Sequence, residues 1–216
     1  MVTTLFDVTI TASYLHNIKL IYLILCLGSM LCMINSTVYH LFTCHHHYRV
    51  FRAMGRLDFL GITALIIASF LPPLYTLFSC HRTIRTVYLI TIIVLGMAGI
   101  IGPWTRTFHS STAVRTSIYV GIVASGVVPG IHALFILPFN SVSMPLFKGI
   151  VLMLLFYSIG VVFYVMRIPE SKFPGHFDYI FSSHQLWHFF VLMAAIVHYF
   201  NCLGMYQLMT VSDGQC

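Results

Sequence analysis

Charge is what this sequence has least of. Only 7% of its 216 residues are charged, and five are acidic. A water-soluble domain carries about 25% charged residues, so too few polar side chains are present to cover a water-facing globule. The six cysteines include no Cys-x-x-Cys pair, which argues against a zinc ribbon or a redox motif. No Lys or Arg precedes Lys19, so residues 1–17 lack the basic region of a signal peptide. Alternating in-out β patterning, internal repeats and low-complexity tracts are missing too. The net charge of +6 is not gathered into a basic face, which excludes nucleic acid as the expected partner.

What the chain does have is long apolar runs. It is 59% hydrophobic, with a mean hydropathy of +0.92. Six segments, at about 18–42, 59–78, 87–104, 118–139, 148–166 and 181–203, are long enough to span a bilayer. Lipid offers no partner to open backbone, so these segments are expected to be helices. The fold class is therefore all-α, a polytopic transmembrane helical bundle with six spans and membrane lipid as its solvent. Residues 1–17 are expected as an extramembrane segment, 18–206 as the membrane domain and 207–216 as a short tail.

Loop charges set the orientation. Arg49, Arg52, Arg56, Arg106, Arg115, Arg167 and Lys172 fall on one side; Lys19, Arg82, Arg85 and Lys148 fall on the other. The richer side is expected to be cytoplasmic, with both termini outside or in the lumen. Pro72, Pro73, Pro103, Pro129 and Pro138 are expected to kink or end helices. Gly96, Gly99 and Gly102 recur every third residue, as on a close-packed helix face. Cys26 and Cys32 read as small packing residues. Cys80, Cys202 and Cys216 fall near one side of the membrane, where one disulfide among them is an option.

Histidine is the residue that asks for an explanation. His184-Gln-Leu-Trp-His188 opens the sixth segment. Residues four apart share a helical face, with Cβ atoms about 5–6 Å apart, which suits two imidazoles on one metal. His40 lies near the end of the first segment, at the same expected depth, and Asp58 opens the second segment from that side. Three imidazoles with an open fourth position make a catalytic zinc arrangement. Asp58, and Ser36 one turn before His40, could then act from outside the ligand set. The plainer alternative is that each histidine packs separately against a neighbouring carbonyl, and the residues alone leave both readings open. His45, His46 and His47 read as a solvated loop cluster. His132 follows Pro129 and reads as a partner for a carbonyl freed by that proline, with lining of a cavity as the functional alternative.

At these positions the chain resembles the progestin and adipoQ receptor family, close to the adiponectin receptors. The matching stretches are Ser36-Thr-Val-Tyr-His40, Leu57-Asp58-Phe59-Leu60-Gly61, Gly126-Val-Val-Pro129 with His132, Arg167-Ile-Pro-Glu170, and Ser182-Ser-His184-Gln-Leu-Trp-His188. The resemblance runs from about residue 20 to 206. It implies a zinc ion held by His40, His184 and His188, with Asp58 beside the zinc's water. It also implies seven helices, against the six here, so residues 1–17 take the place of the loop before the family's second helix.

The function this implies is a hormone-type receptor at the plasma membrane, or at the Golgi as in some relatives. An extracellular protein hormone is the expected partner. Ceramidase-like hydrolysis of a lipid amide such as ceramide is the expected chemistry, with Ser36 and Asp58 in the catalytic set. The alternative is a non-catalytic receptor or scaffold in which zinc is structural. A haem protein is disfavoured, because axial ligands must come from opposite sides of the iron whereas His184 and His188 share one face.

Overall fold

The computed structural model describes residues 2–136, 143–177 and 179–211. The described residues form eight α-helices and one 3-10 turn, with no strand. They are α1 (Val2–Leu41), α2 (Tyr48–Leu77), α3 (Arg82–Ile101), the 3-10 turn (Gly102–Trp104), α4 (Arg106–Ser110), α5 (Thr112–Ala124), α6 (Val127–Ile136), α7 (Ser143–Met166) and α8 (Ser183–Val211). Six stretches of helix are long and apolar enough to cross a membrane. Their outer surfaces are oily: Phe135, Val151 and Val94 are all exposed. Apolar side chains facing outward over whole spans are what a lipid solvent requires. The chain is an all-α, multi-pass integral membrane protein.

Two compact units make up the chain, Met1–Ile136 with Leu208–Cys216, and Leu137–Gln207. In the first unit α1 packs along α2, α2 along α3, and α3 along α5. Small residues allow the close approach. A Cβ added at Gly61 would stand 2.9 Å from Cys32 Cα, and one at Gly28 would stand 2.8 Å from Ala68 Cβ. The three-residue glycine series behaves as its spacing predicts. Gly96 lies against Ile67, Gly99 against Thr63 and Gly102 against Phe108.

The helices start and stop differently from the apolar runs. Residues 2–17, expected to precede the first span, are helical and continuous with it. α2 begins at Tyr48 rather than near residue 59, so Arg49, Arg52 and Arg56 are helical residues. Long basic side chains can reach an interface from within a helix end, so charge marks the end of the apolar run and not the end of the helix. Arg56 illustrates this. Its guanidinium lies over the Trp104 ring at 4.2 Å, and its Nε donates to the Pro103 carbonyl at 3.3 Å.

Prolines have unequal effects. Pro72 and Pro73 sit inside α2 without ending it. Pro103 sits in the 3-10 turn, Gly102–Trp104, that ends α3. The fourth span is broken between Ala124 and Val127, just ahead of Pro129. Pro138 lies outside the described residues.

In the second unit α7 and α8 pack through aromatic rings and one buried polar contact. Phe163 stacks on Phe190 at 5.5 Å between ring centroids. Asn201 Nδ2 donates to the Leu146 carbonyl at 3.1 Å, over Gly149, where a Cβ would meet the Asn201 side chain at 2.6 Å. Cys80 is disulfide-bonded. Cys202 instead holds its sulfur 3.4 Å from His198 Nε2. Cys216 lies outside the described residues.

Candidate metal centre

The second unit carries the HxxxH pair. α8 opens with a reciprocal cap: Gln185 N donates to Ser182 Oγ at 3.4 Å, and Ser182 N donates to Gln185 Oε1 at 3.3 Å. This is the capping box, which satisfies two donors at a helix start. Gln185 Nε2 also donates to the Tyr179 carbonyl at 2.9 Å, and Ser183 Oγ donates to Glu170 Oε1 at 2.8 Å. The turn that bears His184 is therefore fixed by four side-chain hydrogen bonds.

His184 and His188 project from consecutive turns. Their Nε2 atoms are 3.2 Å apart, and their rings lie edge to face with centroids 4.7 Å apart. Two nitrogens that each sit about 2.0–2.1 Å from a tetrahedral zinc stand about 3.3 Å apart. The pair therefore fits two adjacent corners of such a site. Tyr164 on α7 flanks it, with ring centroids 6.1 Å from His184 and 5.8 Å from Trp187.

The first unit carries the remaining expected residues. Ser36 and His40 lie one turn apart on α1, and Asp58 lies on α2. The Ser36 hydroxyl donates to the Asp58 carboxylate, and the His40 ring is within electrostatic reach of that carboxylate. The structure thus brings Ser36, His40 and Asp58 together.

Sequence reading missed the groups behind Asp58. Tyr119 Oη and Thr63 Oγ1 both donate to the Phe59 carbonyl, at 3.1 Å and 3.0 Å. Tyr119 and Cys32 are also within electrostatic reach of Asp58. The only cue in the sequence was a hydroxyl or thiol inside an apolar run. Among the described residues, His132 Nδ1 pairs with a side chain, lying 2.7 Å from the Tyr88 hydroxyl. In the loop cluster, His47 N donates to His45 Nδ1 at 3.1 Å.

Comparison with known proteins places these residues in a family. The model of the haemolysin-III related family matches residues 1–199. The chain belongs to this family, which includes the progestin and adipoQ receptors. It is 39% identical over 175 residues to the heptahelical transmembrane protein ADIPOR2 of Oryza sativa subsp. japonica, covering 80% of this chain and 76% of that protein. It is 35% identical over 193 residues to the progestin and adipoQ receptor-like protein 1 of Caenorhabditis elegans, covering 85% of this chain and 43% of that protein. It is 33% identical over 196 residues to the adiponectin receptor protein of Drosophila melanogaster, covering 88% and 44%. The chain spans about half the length of most of the curated relatives it matches.

Proposed function

We propose that this chain is an adiponectin-receptor-like membrane receptor in which His40, His184 and His188 hold one zinc ion, and that the site hydrolyses a lipid amide of the ceramide class. The observation that carries the reading is the 3.2 Å gap between the Nε2 atoms of His184 and His188, the separation expected of neighbouring ligands on tetrahedral zinc. The likeness to a protein named as an adiponectin receptor supports the receptor part; regulation by an extracellular protein hormone and a place in the plasma membrane belong to the same proposal.

Bound zinc supplies Lewis acidity, polarising a carbonyl and acidifying water. The chain's own groups do the rest. Asp58 takes the proton from the attacking water, and Ser36 holds that carboxylate in position through its hydroxyl. The water oxygen bonds to the amide carbon and the C–N bond breaks. Asp58 returns its proton to the leaving nitrogen, which departs as the primary amine of a sphingoid base, and the acyl part leaves as the fatty acid. Exposed apolar helix faces give the two chains a medium to enter and leave through.

The test is metal analysis and ceramide turnover on the purified full chain. Wild type is expected to carry close to one zinc per chain, and His188→Ala almost none and no turnover. Wild type without zinc would sink the reading entirely. Zinc without turnover would leave the receptor with structural zinc and remove the hydrolase.

A further inference from the structure

The loop between α7 and α8 contains a polar cavity that the metal site does not use. Arg167, Glu170, Ser171 and Ser182 line it, and its volume is about 370 Å³. Glu170 Oε1 accepts the Ser183 hydroxyl at 2.8 Å, whereas Oε2 is buried and has no hydrogen-bond partner among the described residues. Burial works against ionisation of this carboxyl. Hydrogen bonds from its own N–H and from Ser183, together with the Arg167 charge, outweigh it and hold the pKa below the usual value. A buried anionic oxygen without a donor is costly, and a cationic N–H group would satisfy it.

Arg167 stands directly after α7 with φ at 52°. That left-handed conformation is uncommon for a non-glycine residue, and Arg167 lines the cavity wall. Guanidinium donors match the geometry of a phosphate. Ser182 Oγ accepts from Gln185 N, so its hydroxyl proton remains to be donated.

The surroundings identify the medium. The loop follows Met166, the last residue of one span, and precedes Ser183, the first of the next. Phe173, Tyr179, Ile180 and Phe181 are exposed on it, Tyr179 by 90%. Such side chains beside charged ones are favoured at the headgroup level of a bilayer.

We propose that this cavity binds the headgroup of an aminophospholipid, with the phosphate at Arg167 and the primary ammonium at Glu170 Oε2. A primary ammonium has N–H groups to give Oε2, whereas the quaternary ammonium of a choline headgroup has none. The site therefore discriminates ethanolamine-type lipid from choline-type lipid, and it does so independently of any metal.

The test uses the full chain, delipidated in detergent and titrated with short-chain phosphatidylethanolamine or phosphatidylcholine of the same acyl length. Native mass spectrometry reads the occupancy. Phosphatidylethanolamine is expected to bind roughly tenfold tighter, the worth of one charge-assisted hydrogen bond. Glu170→Gln keeps an acceptor for Ser183 and is expected to lower phosphatidylethanolamine to the phosphatidylcholine level. Arg167→Ala is expected to weaken both lipids alike. Equal binding of the two lipids by wild type, which needs no variant, overturns the proposal. So does soluble phosphoethanolamine binding as tightly as the lipid, since the occupant would then be a free phosphate ester.

Discussion

Ser36 on α1 donates its hydroxyl to the Asp58 carboxylate on α2, one turn before His40. The bond gives the two residues separable roles. Asp58→Asn keeps the shape and removes the base. Turnover is expected to fall about 10²–10⁴-fold, the usual contribution of a general base, with zinc retained. Ser36→Ala leaves the base but loosens it, for a loss of roughly tenfold. Single-turnover ceramide hydrolysis, with zinc measured on the same samples, checks both. An Asp58→Asn protein as active as wild type would remove Asp58 from the chemistry.

Gly99 bears on stability rather than chemistry. A Cβ there would lie 2.5 Å from Thr63 Oγ1 and 3.0 Å from Thr63 Cγ2. Thr63 cannot easily give way, because it is buried and its hydroxyl is bonded to the Phe59 carbonyl at 3.0 Å. Gly99→Ala is expected to destabilise the protein by about 1–3 kcal/mol, the range for overpacking. Thr63→Ala in the same chain removes both clashing atoms and is expected to restore part of the loss. Thermal unfolding of the four proteins measures the coupling. Additive losses would show that α2 and α3 do not meet at these residues.

The fold was legible because one property, the run of apolar residues, decides it under lipid. The six spans and the close-packed face of Gly96, Gly99 and Gly102 follow from that property and from spacing alone. The helix ends were less legible. Arg49, Arg52 and Arg56 broke the apolar run but not the helix, since an arginine within a helix end can still reach the interface. Within the candidate site, the HxxxH spacing announced the His184–His188 pair. The hydrogen bond between Ser36 and Asp58 joins residues twenty-two positions apart on two helices, which no local pattern encodes. Tyr119, Thr63 and Glu170 were hidden for the same reason. A hydroxyl in an apolar run, or a carboxylate in a loop, does not say what it faces.

Glu170 predicts a pH dependence. Its carboxyl titrates below the usual value because hydrogen bonds and Arg167 together outweigh its burial. A depressed carboxylate contributes stability that is complete above its unfolded pKa, about 4.3, and is lost as pH falls through the lower folded value. The thermal midpoint of wild type should therefore exceed that of Glu170→Gln near neutral pH, and the gap should close in acid below about 4.3. A gap that stayed constant from neutral pH down to strong acid would mean that the Glu170 charge does not anchor α8.

The capping box links helix structure to the proposed metal. Gln185 closes the first turn of α8 by accepting from Ser182 N at 3.3 Å and donating to the Tyr179 carbonyl at 2.9 Å. Its neighbour His184 takes its direction from that turn. Loss of a cap costs about 1 kcal/mol, so Gln185→Ala should fray the turn and free the His184 ring to wander from the 3.2 Å spacing. Zinc affinity is expected to fall roughly fivefold, which is that energy expressed as a ratio of dissociation constants. Gln185→Glu can still accept from Ser182 N and adds charge that suits a helix N-terminus; it should recover most of the loss. Competition against a chromogenic chelator measures the affinities, and amide exchange over residues 182–186 measures the fraying. Faster exchange in Gln185→Ala with unchanged zinc affinity would show that the helix start does not set the metal geometry. The pair would then be held in place by the packing of α7 against His184 and Trp187 alone.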